Sequence, residues 1–318
     1  MQHPKRRQYK HTKSRYQVKN WGEYEAGLRR RGDLTVWLSE EALDAWRAPP
    51  SGKPGGQRRY ADIAIEAALT IRMVFHLPLR QTEGFLHSLM QLLDVDLPIP
   101  DHTTLSRRLQ TLGEIKFQPA TQGPLHLLID STGLRIHVGH MRQPPRTRAW
   151  RKLHLAVDAK SGQIVSSALT HHRIRDSTPV SALLEQTDHR RVASLCADGS
   201  YDRKSVYEAA QRKGHGQAVR VLIPPKRNAR LKSAPSRAMK ERNRNVRSIR
   251  ELGRREWHKQ SGYSQRSMVE NAIYRYKTIL GGEMRSRCLK GQRVEVQIGC
   301  RILNRMALFG MPDSGKVS

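Results

Sequence analysis

At Pro124 the sequence changes period. From Tyr60 onward the apolar residues recur at helical spacing; beyond Pro124 they fall into short runs and alternations bounded by turn residues. A switch of that kind restricts the chain to a helical region followed by a mixed α/β region. Everything else in the sequence has to be fitted to that division.

In the helical part, Ala61, Ala64, Ile65, Ala68 and Leu69 share one face of a helix that runs through Phe75 and stops at Pro78. A second helix spans about Leu79 to Leu93 and carries Phe85, Leu86, Leu89 and Leu92. Pro98-Ile-Pro100 breaks the chain, and Asp101 or Thr103 can cap a third helix, HTTLSRRLQTL. Three short helices over 59–118 have the outline of a helix-turn-helix unit. Thr103, Thr104, Ser106, Arg107 and Arg108 would give its last helix a polar, basic end suited to a major groove. An ordinary helical bundle with a solvated basic face satisfies the same pattern. Residues 1–58 divide into a basic arm, KRRQYKHTKSR, and a small tryptophan-bearing helical segment that starts near Ser39; SGKPGGQRR is a linker.

In the second part, LHLLIDSTGLRI (125–136) reads as an apolar run followed by a polar turn, and KLHLAVD (152–158) alternates. Ser161-Gly162 predicts a hairpin into residues 163–169. A helix over 177–187, a buried strand over 192–196, a helix over 201–213 and a strand over 219–223 follow. Residues 226–257 are overwhelmingly basic with little apolar periodicity and read as a poorly ordered or DNA-tracking insertion. A helix through Glu270 and a last one over 294–309 close a domain of 123–310, with a tail of 311–318. The order of strands and helices is that of a mixed sheet flanked by helices. No internal repeat is present.

Charge narrows the partners. Lys and Arg number 58 against 28 Asp and Glu, a formal net charge of +30. Such an excess favours a polyanion through counterion release, and nucleic acid comes first. No stretch approaches the ~18 apolar residues of a spanning helix, and the N-terminus lacks the apolar core of a signal peptide, so membrane is not expected as a partner. Cys196, Cys288 and Cys300 form no CxxC pair, which argues against a disulfide framework or structural zinc and suits a reducing, cytoplasmic compartment.

In so basic a chain the acids stand out. Asp130 follows Leu127-Leu128-Ile129 and Asp198 follows Leu195-Cys196-Ala197, both at the ends of apolar strands. Tyr263, Arg266, Glu270 and Lys277 recur at offsets that fall within an arc of roughly 60° on one helix face. Asp130, Asp198 and Glu270 brought together would repel one another unless cations neutralise them. Oxygen-only ligands favour Mg²⁺ or Mn²⁺ over zinc. Two such ions about 3.5–4 Å apart can activate a water or a 3′-hydroxyl and stabilise the leaving oxygen of an in-line displacement. Taken singly, the aspartates also read as turn or cap residues, and Glu270 as a helical ion-pair partner of Arg266 or Lys277.

The spacing Tyr263-(2)-Arg266-(3)-Glu270-(6)-Lys277 matches the Y-(2)-R-(3)-E-(6)-K signature of DDE transposases of the IS4/IS5 type. LLIDSTGLRI around Asp130 and LCADGSYD around Asp198 resemble the first and second acidic motifs of the IS5 group, and LRQTEGFLHSLMQLLDVDLPIPDHTTLSRRL resembles the region upstream of its catalytic domain. The resemblance covers roughly residues 20–310. It implies an RNase H-like catalytic domain in which Asp130, Asp198 and Glu270 hold two Mg²⁺ or Mn²⁺ ions. It also implies that Tyr263, Arg266 and Lys277 contact DNA near the scissile phosphate. The expected partners are double-stranded DNA, as terminal inverted repeats and target, and a second protomer in a dimer or higher assembly on paired ends. The expected activity is that of a bacterial, nucleoid-associated endonuclease that cuts 3′ strands of an insertion sequence and joins the freed 3′-hydroxyls to target DNA.

Two other readings compete. His172-Arg173-Ile174-Arg175 supplies the HxxR of a tyrosine recombinase, but no C-terminal nucleophilic tyrosine follows Tyr276. A non-catalytic DNA-binding regulator, or an inactive transposase relic, would use the charge and the helical unit equally well. A pure binder gains nothing from three acids that repel phosphate.

Overall fold

A computed structural model describes residues 16–52, 54–113, 115–117, 122–137, 150–187 and 190–316. The basic arm read from the sequence over residues 5–15 lies outside them. The first half holds β1 (Tyr16–Val18), α1 (Trp21–Arg30), α2 (Leu34–Trp37), α3 (Glu40–Asp44), α4 (Asp62–Val74), α5 (Leu79–Leu92) and α6 (His102–Leu109). The three helices expected from the apolar period are α4, α5 and α6. Pro78 separates the first two, and Asp101 starts the third by accepting from the backbone N–H groups of Thr103 and Thr104, each at 2.8 Å.

The second half runs β2 (Leu125–Ile136), β3 (Trp150–Asp158), β4 (Ile164–His171), α7 (Val180–Glu185), β5 (Val192–Ala197), α8 (Lys204–Arg212) and β6 (Arg220–Leu222). It continues through α9 (Arg237–Leu252), α10 (Arg254–Ser261), a 3₁₀ turn at Tyr263–Arg266, α11 (Ser267–Ile279), β7 (Glu283–Met284), α12 (Leu289–Leu308) and β8 (Ser314–Lys316). The main sheet has the order β4-β3-β2-β5-β6, with β7 on the far end of β2. β2, β3 and β4 form an antiparallel meander, and β2–β5 and β5–β6 are parallel. The sheet is therefore mixed, as the alternation of segments predicts. The two termini of the described chain meet where β1 and β8 pair.

Both faces of the sheet are covered. Leu127, Ile129, Leu195 and Val221 face α7, α8 and the start of α9 through Leu183, Tyr207 and Met239. Leu128, Leu153, Leu155 and Cys196 face α11 and α12 through Val269, Tyr276, Val296 and Cys300. The opposite side of α12 sends Val294, Ile298, Ile302 and Met306 into the core of α2–α6, beside Trp37, Trp46, Ile65 and Leu105. Packing is thus continuous from the helical region into the sheet, and α12 belongs to two cores. No helix among the described residues is long and apolar enough to cross a membrane.

Two segments differ from their sequence reading. Ser131-Thr132-Gly133, expected as a turn, continues β2, because β3 pairs its backbone through Ser131↔His154 and Gly133↔Lys152. Residues 226–257, expected as a poorly ordered or DNA-tracking insertion, contain α9 and the first half of α10. α9 is fastened by polar groups more than by apolar ones. Arg242 grips Asp202 with two bonds of 2.9 and 3.2 Å, Asn245 donates to the Val221 carbonyl at 2.7 Å, and Asn243 exchanges bonds with the Lys232 backbone. Buried hydrogen-bonded asparagines leave no hydrophobic period to detect.

Candidate active site

The β2–β5 register decides where the first two acids lie. Ile129 is opposite Ala197 on parallel neighbouring strands, so Asp130 and Asp198 emerge side by side, about one strand spacing of ~4.8 Å apart in backbone. β5 ends at Ala197, and Asp198 caps the 3₁₀ turn Gly199–Tyr201: its Oδ1 accepts from Ser200 N–H at 2.8 Å and Ser200 Oγ at 2.5 Å. The cap uses only Oδ1; among the described residues no hydrogen bond engages its Oδ2. Asp130 Oδ1 accepts from the Ser131 N–H at 2.8 Å.

The third element arrives from the other end of the chain. Gly262 closes α10 in the left-handed region (φ 79°), a conformation that glycine adopts without the Cβ penalty. The turn that follows brings Tyr263 and Arg266 against the ends of β2 and β5 before α11 begins. The single helical stripe expected from the sequence is thus two pieces, with Tyr263 and Arg266 on the 3₁₀ turn and Glu270 and Lys277 on α11. Glu270 and Lys277, seven residues apart, still share a face.

Arg266 links the pieces. Its Nη1 donates to Asp130 Oδ2 at 3.0 Å and its Nη2 to Glu270 Oε1. A guanidinium lies between two of the three carboxylates, and among the described residues no ready-made nest of three metal-ligating side chains exists. Arg266 and Asp130 are largely buried, whereas the Glu270 side chain is half exposed. Burial pushes the Asp130 carboxyl up, and the negative charges of Asp198 and Glu270 add to this; the Ser131 N–H and Arg266 oppose it without cancelling it. The charged form of Asp130 is disfavoured first by burial and then by the two neighbouring acids, so a cation placed there would favour it.

Tyr263 packs between rings, with centroids 4.6 Å from His258 and 5.5 Å from Trp257, and Arg266 lies 5.9 Å from its ring centre. Burial pushes its phenol up to about 12, so it stays a hydrogen-bond donor at any ordinary pH. Lys277 is exposed and makes no ion pair among the described residues. The α6 residues stand apart from this centre. The Thr103 and Thr104 hydroxyls are held by Asp101, and Arg108 is held by Asp62 and the Tyr60 carbonyl. Ser106 and Arg107 are exposed.

Beneath Asp130 is a polar cluster that the sequence reading missed. Ser131 Oγ and Lys152 Nζ donate to the same Asp176 oxygen, at 2.8 and 3.0 Å. Burial works to raise the Asp176 carboxyl, but those two hydrogen bonds and the Lys152 charge hold it below the usual carboxylate range. His154, opposite Ser131 on β3, bonds Thr170 at 2.8 Å through Nε2, and burial pushes it down to about 4. The sequence signal of Asp176 is an acid just past β4 in a basic stretch, next to the HxxR of residues 172–175.

The donors of Asp130, Asp198 and Glu270 are all carboxylate oxygens, and a cationic side chain already stands between two of them. That set suits a hard divalent cation such as Mg²⁺ or Mn²⁺. Among solved structures the chain is similar to the Mos1 mariner paired end complex with Mn, at 14% sequence identity over 90% of this chain and 86% of that chain, with a TM-score of 0.22. It is also similar to a pre-cleavage Mos1 transpososome, at 12% identity over 83% and 82%, with a TM-score of 0.22. Scores that low carry no argument about fold. The family comparison does carry one. Models of the transposase DDE domain match residues 29–139 and, over more than half of the chain, residues 121–306. The chain belongs to the family of transposases with a DDE domain.

Proposed function

We propose that the protein is a metal-dependent DNA strand transferase of the IS5 group with an RNase H-like catalytic domain. It would bind the terminal inverted repeats of an insertion sequence, cut them and join them to target DNA. The observation that supports this most is the β2–β5 register, with Asp130 beside Asp198 and Arg266 tying Asp130 to Glu270. The strand order, an antiparallel meander extended by two parallel strands, is the one expected of an RNase H-like sheet.

Asp130, Asp198 and Glu270 would hold two Mg²⁺ or Mn²⁺ ions. When bound, such ions lower the pKa of the attacking water or 3′-hydroxyl and stabilise the leaving oxygen in an in-line displacement. The residues of the chain have separate tasks. Arg266, released from the carboxylates, offers a planar fork to a phosphate; Lys277 adds a point charge farther along α11; Tyr263 donates its phenolic proton or stacks on a base. Ser106 and Arg107, exposed on α6, would be the side chains to reach a groove; Thr103 and Thr104 shape the start of that helix and Arg108 fastens it to α4. Two protomers on paired DNA ends complete the assembly.

The test is cleavage of a duplex carrying the ends of the element that encodes the chain. Cutting should require Mg²⁺ or Mn²⁺ and disappear in Asp130→Ala, Asp198→Ala and Glu270→Ala, with DNA binding retained. Nicking that survives in Asp130→Ala without metal would end the two-ion reading. Binding without cutting by the unaltered protein and by Asp198→Ala alike would favour a non-catalytic regulator.

A further inference from the structure

A cationic site lies at the other end of α11 from the carboxylates. A cavity of about 690 Å³ opens where the end of α4, the start of α5, the end of β2 and β7 meet, and Arg72, Arg135 and Arg285 line it. The only acid on its wall among the described residues is Glu283, which sits 3.3 Å from His137.

Arg72 is the anomaly. Its side chain belongs to a residue only 7% exposed, its buried Nε has no hydrogen-bond partner, and no ion pair engages it among the described residues. Burial pushes its guanidinium down, and Arg285 adds repulsion, yet an arginine cannot shed its proton in a protein. Glu295 is the nearest source of relief, but its two oxygens are used by the Arg285 and Ser286 N–H groups, both at 2.8 Å. A buried guanidinium with an unmet Nε–H and no ion-pair partner among the described residues is costly to leave alone, and an anion satisfies it.

Three further features point the same way. α5, fourteen residues long, begins at Leu79 on the cavity wall, and no side chain caps its free N–H groups, so its positive end faces the space. Arg285 is held in place by bonds of 3.0 and 2.9 Å to the His76 and Leu77 carbonyls. Gly281, at φ 94° with nothing within 4 Å of the place a Cβ would take, lets the chain turn from α11 along the rim without filling it.

We propose that this cavity is a phosphate-binding site, separate from the carboxylate centre, in which Arg72, Arg135, Arg285 and the amino end of α5 hold a backbone phosphate of DNA. From Glu270 to Gly281, just past the end of α11, is about 16 Å at helical rise, and exposed Lys277 lies between. That span corresponds to four or five phosphates on one strand of a duplex. The identity of the ligand as DNA rests on the proposed function; the existence of a phosphate site does not.

The test uses the full chain in metal-free buffer, with inorganic pyrophosphate as the probe in a thermal shift and a DNA duplex in a salt titration of binding. Pyrophosphate should raise the Tm of the unaltered protein in proportion to the logarithm of its concentration, and equally in Asp198→Ala. Arg72→Met should start at an equal or higher Tm and lose that rise. Arg135→Gln, a substitution at the exposed rim, should keep the starting Tm and bind pyrophosphate at least tenfold more weakly. If the phosphate is a DNA phosphate, the slope of log K against log salt falls by about one in both variants. An unchanged slope with the pyrophosphate response lost would keep the phosphate site and assign it to a free phosphate ligand. A Tm of the unaltered protein indifferent to pyrophosphate overturns the proposal. So does Arg72→Met losing stability while Arg135→Gln keeps the full response, since Arg72 would then be structural.

Discussion

Arg266→Ala should make the protein bind divalent cations more tightly while making it a worse nuclease. In the DNA-free chain the guanidinium donates to Asp130 at 3.0 Å and to Glu270, so a cation shared by those carboxylates has to displace it. A charge-assisted bond between largely buried partners contributes about 1.5–3 kcal/mol. The Asp130 contact qualifies, with side chains 21% and 18% exposed; Glu270 is 50% exposed, and its contact is worth less than about 1 kcal/mol. Displacement thus costs about 2 kcal/mol, and removing the guanidinium should tighten Mn²⁺ binding by about 30-fold. Titration of Mn²⁺ into DNA-free protein, followed by calorimetry or by the loss of the free-ion electron paramagnetic resonance signal, measures this directly. In chelator the variant should melt below the unaltered protein, because Asp130, Asp198 and Glu270 then face one another without a cation; Mn²⁺ should close that gap. Equal or weaker Mn²⁺ binding by Arg266→Ala would refute the idea that the guanidinium occupies the cation's place.

Other outcomes follow from individual contacts. His154 titrates at about 4 in the fold against an ordinary 6.5, so it is neutral when folded; its contribution is complete above pH 6.5 and is lost as pH falls toward 4, by about 3 kcal/mol in all. His154→Gln should flatten that part of the urea midpoint against pH curve, and an unchanged curve would place the proton elsewhere. A Cβ on Gly299 would lie 2.8 Å from the Tyr276 ring, whose residue is buried at 3% exposure, so Gly299→Ala should lower stability by about 1–3 kcal/mol in denaturant titration. Lys277→Ala should leave the Tm in place and reduce the salt slope of DNA binding by about one; a large fall in Tm would make Lys277 structural.

Part of the site is legible in the sequence because its cause is local. Asp130 and Asp198 follow apolar runs, and a carboxylate at the mouth of a buried strand has few structural reasons to be there. Glu270 and Lys277 are linked by helical spacing alone. The Arg266 bridge is not local: it joins residues 136 apart and depends on how the 3₁₀ turn meets β2. The continuation of β2 through Ser131-Thr132-Gly133 is set by the strand beside it, and polar residues with glycine read as a turn until that strand is known. α9 escapes notice for a third reason. Its inward positions include Glu241, paired with Arg244, and Asn243 and Asn245, satisfied by hydrogen bonds, so burial there leaves no apolar trace. The cavity around Arg72 combines four separated segments, and nothing in any one of them announces it.

The double role of α12 governs the order in which the molecule can form. One side of that helix completes the core of α2–α6 and the other completes one face of the sheet, yet it follows every strand of the main sheet along the chain. A nascent chain that has already released every strand of the main sheet still has both of these cores open. Neither of these two cores can close until Leu289–Leu308 has been made and docked, whereas the core beneath α7, α8 and α9 needs no residue of α12. A chain stopped before Leu289 would present two apolar surfaces at once, a form suited to aggregation or proteolysis rather than to partial function.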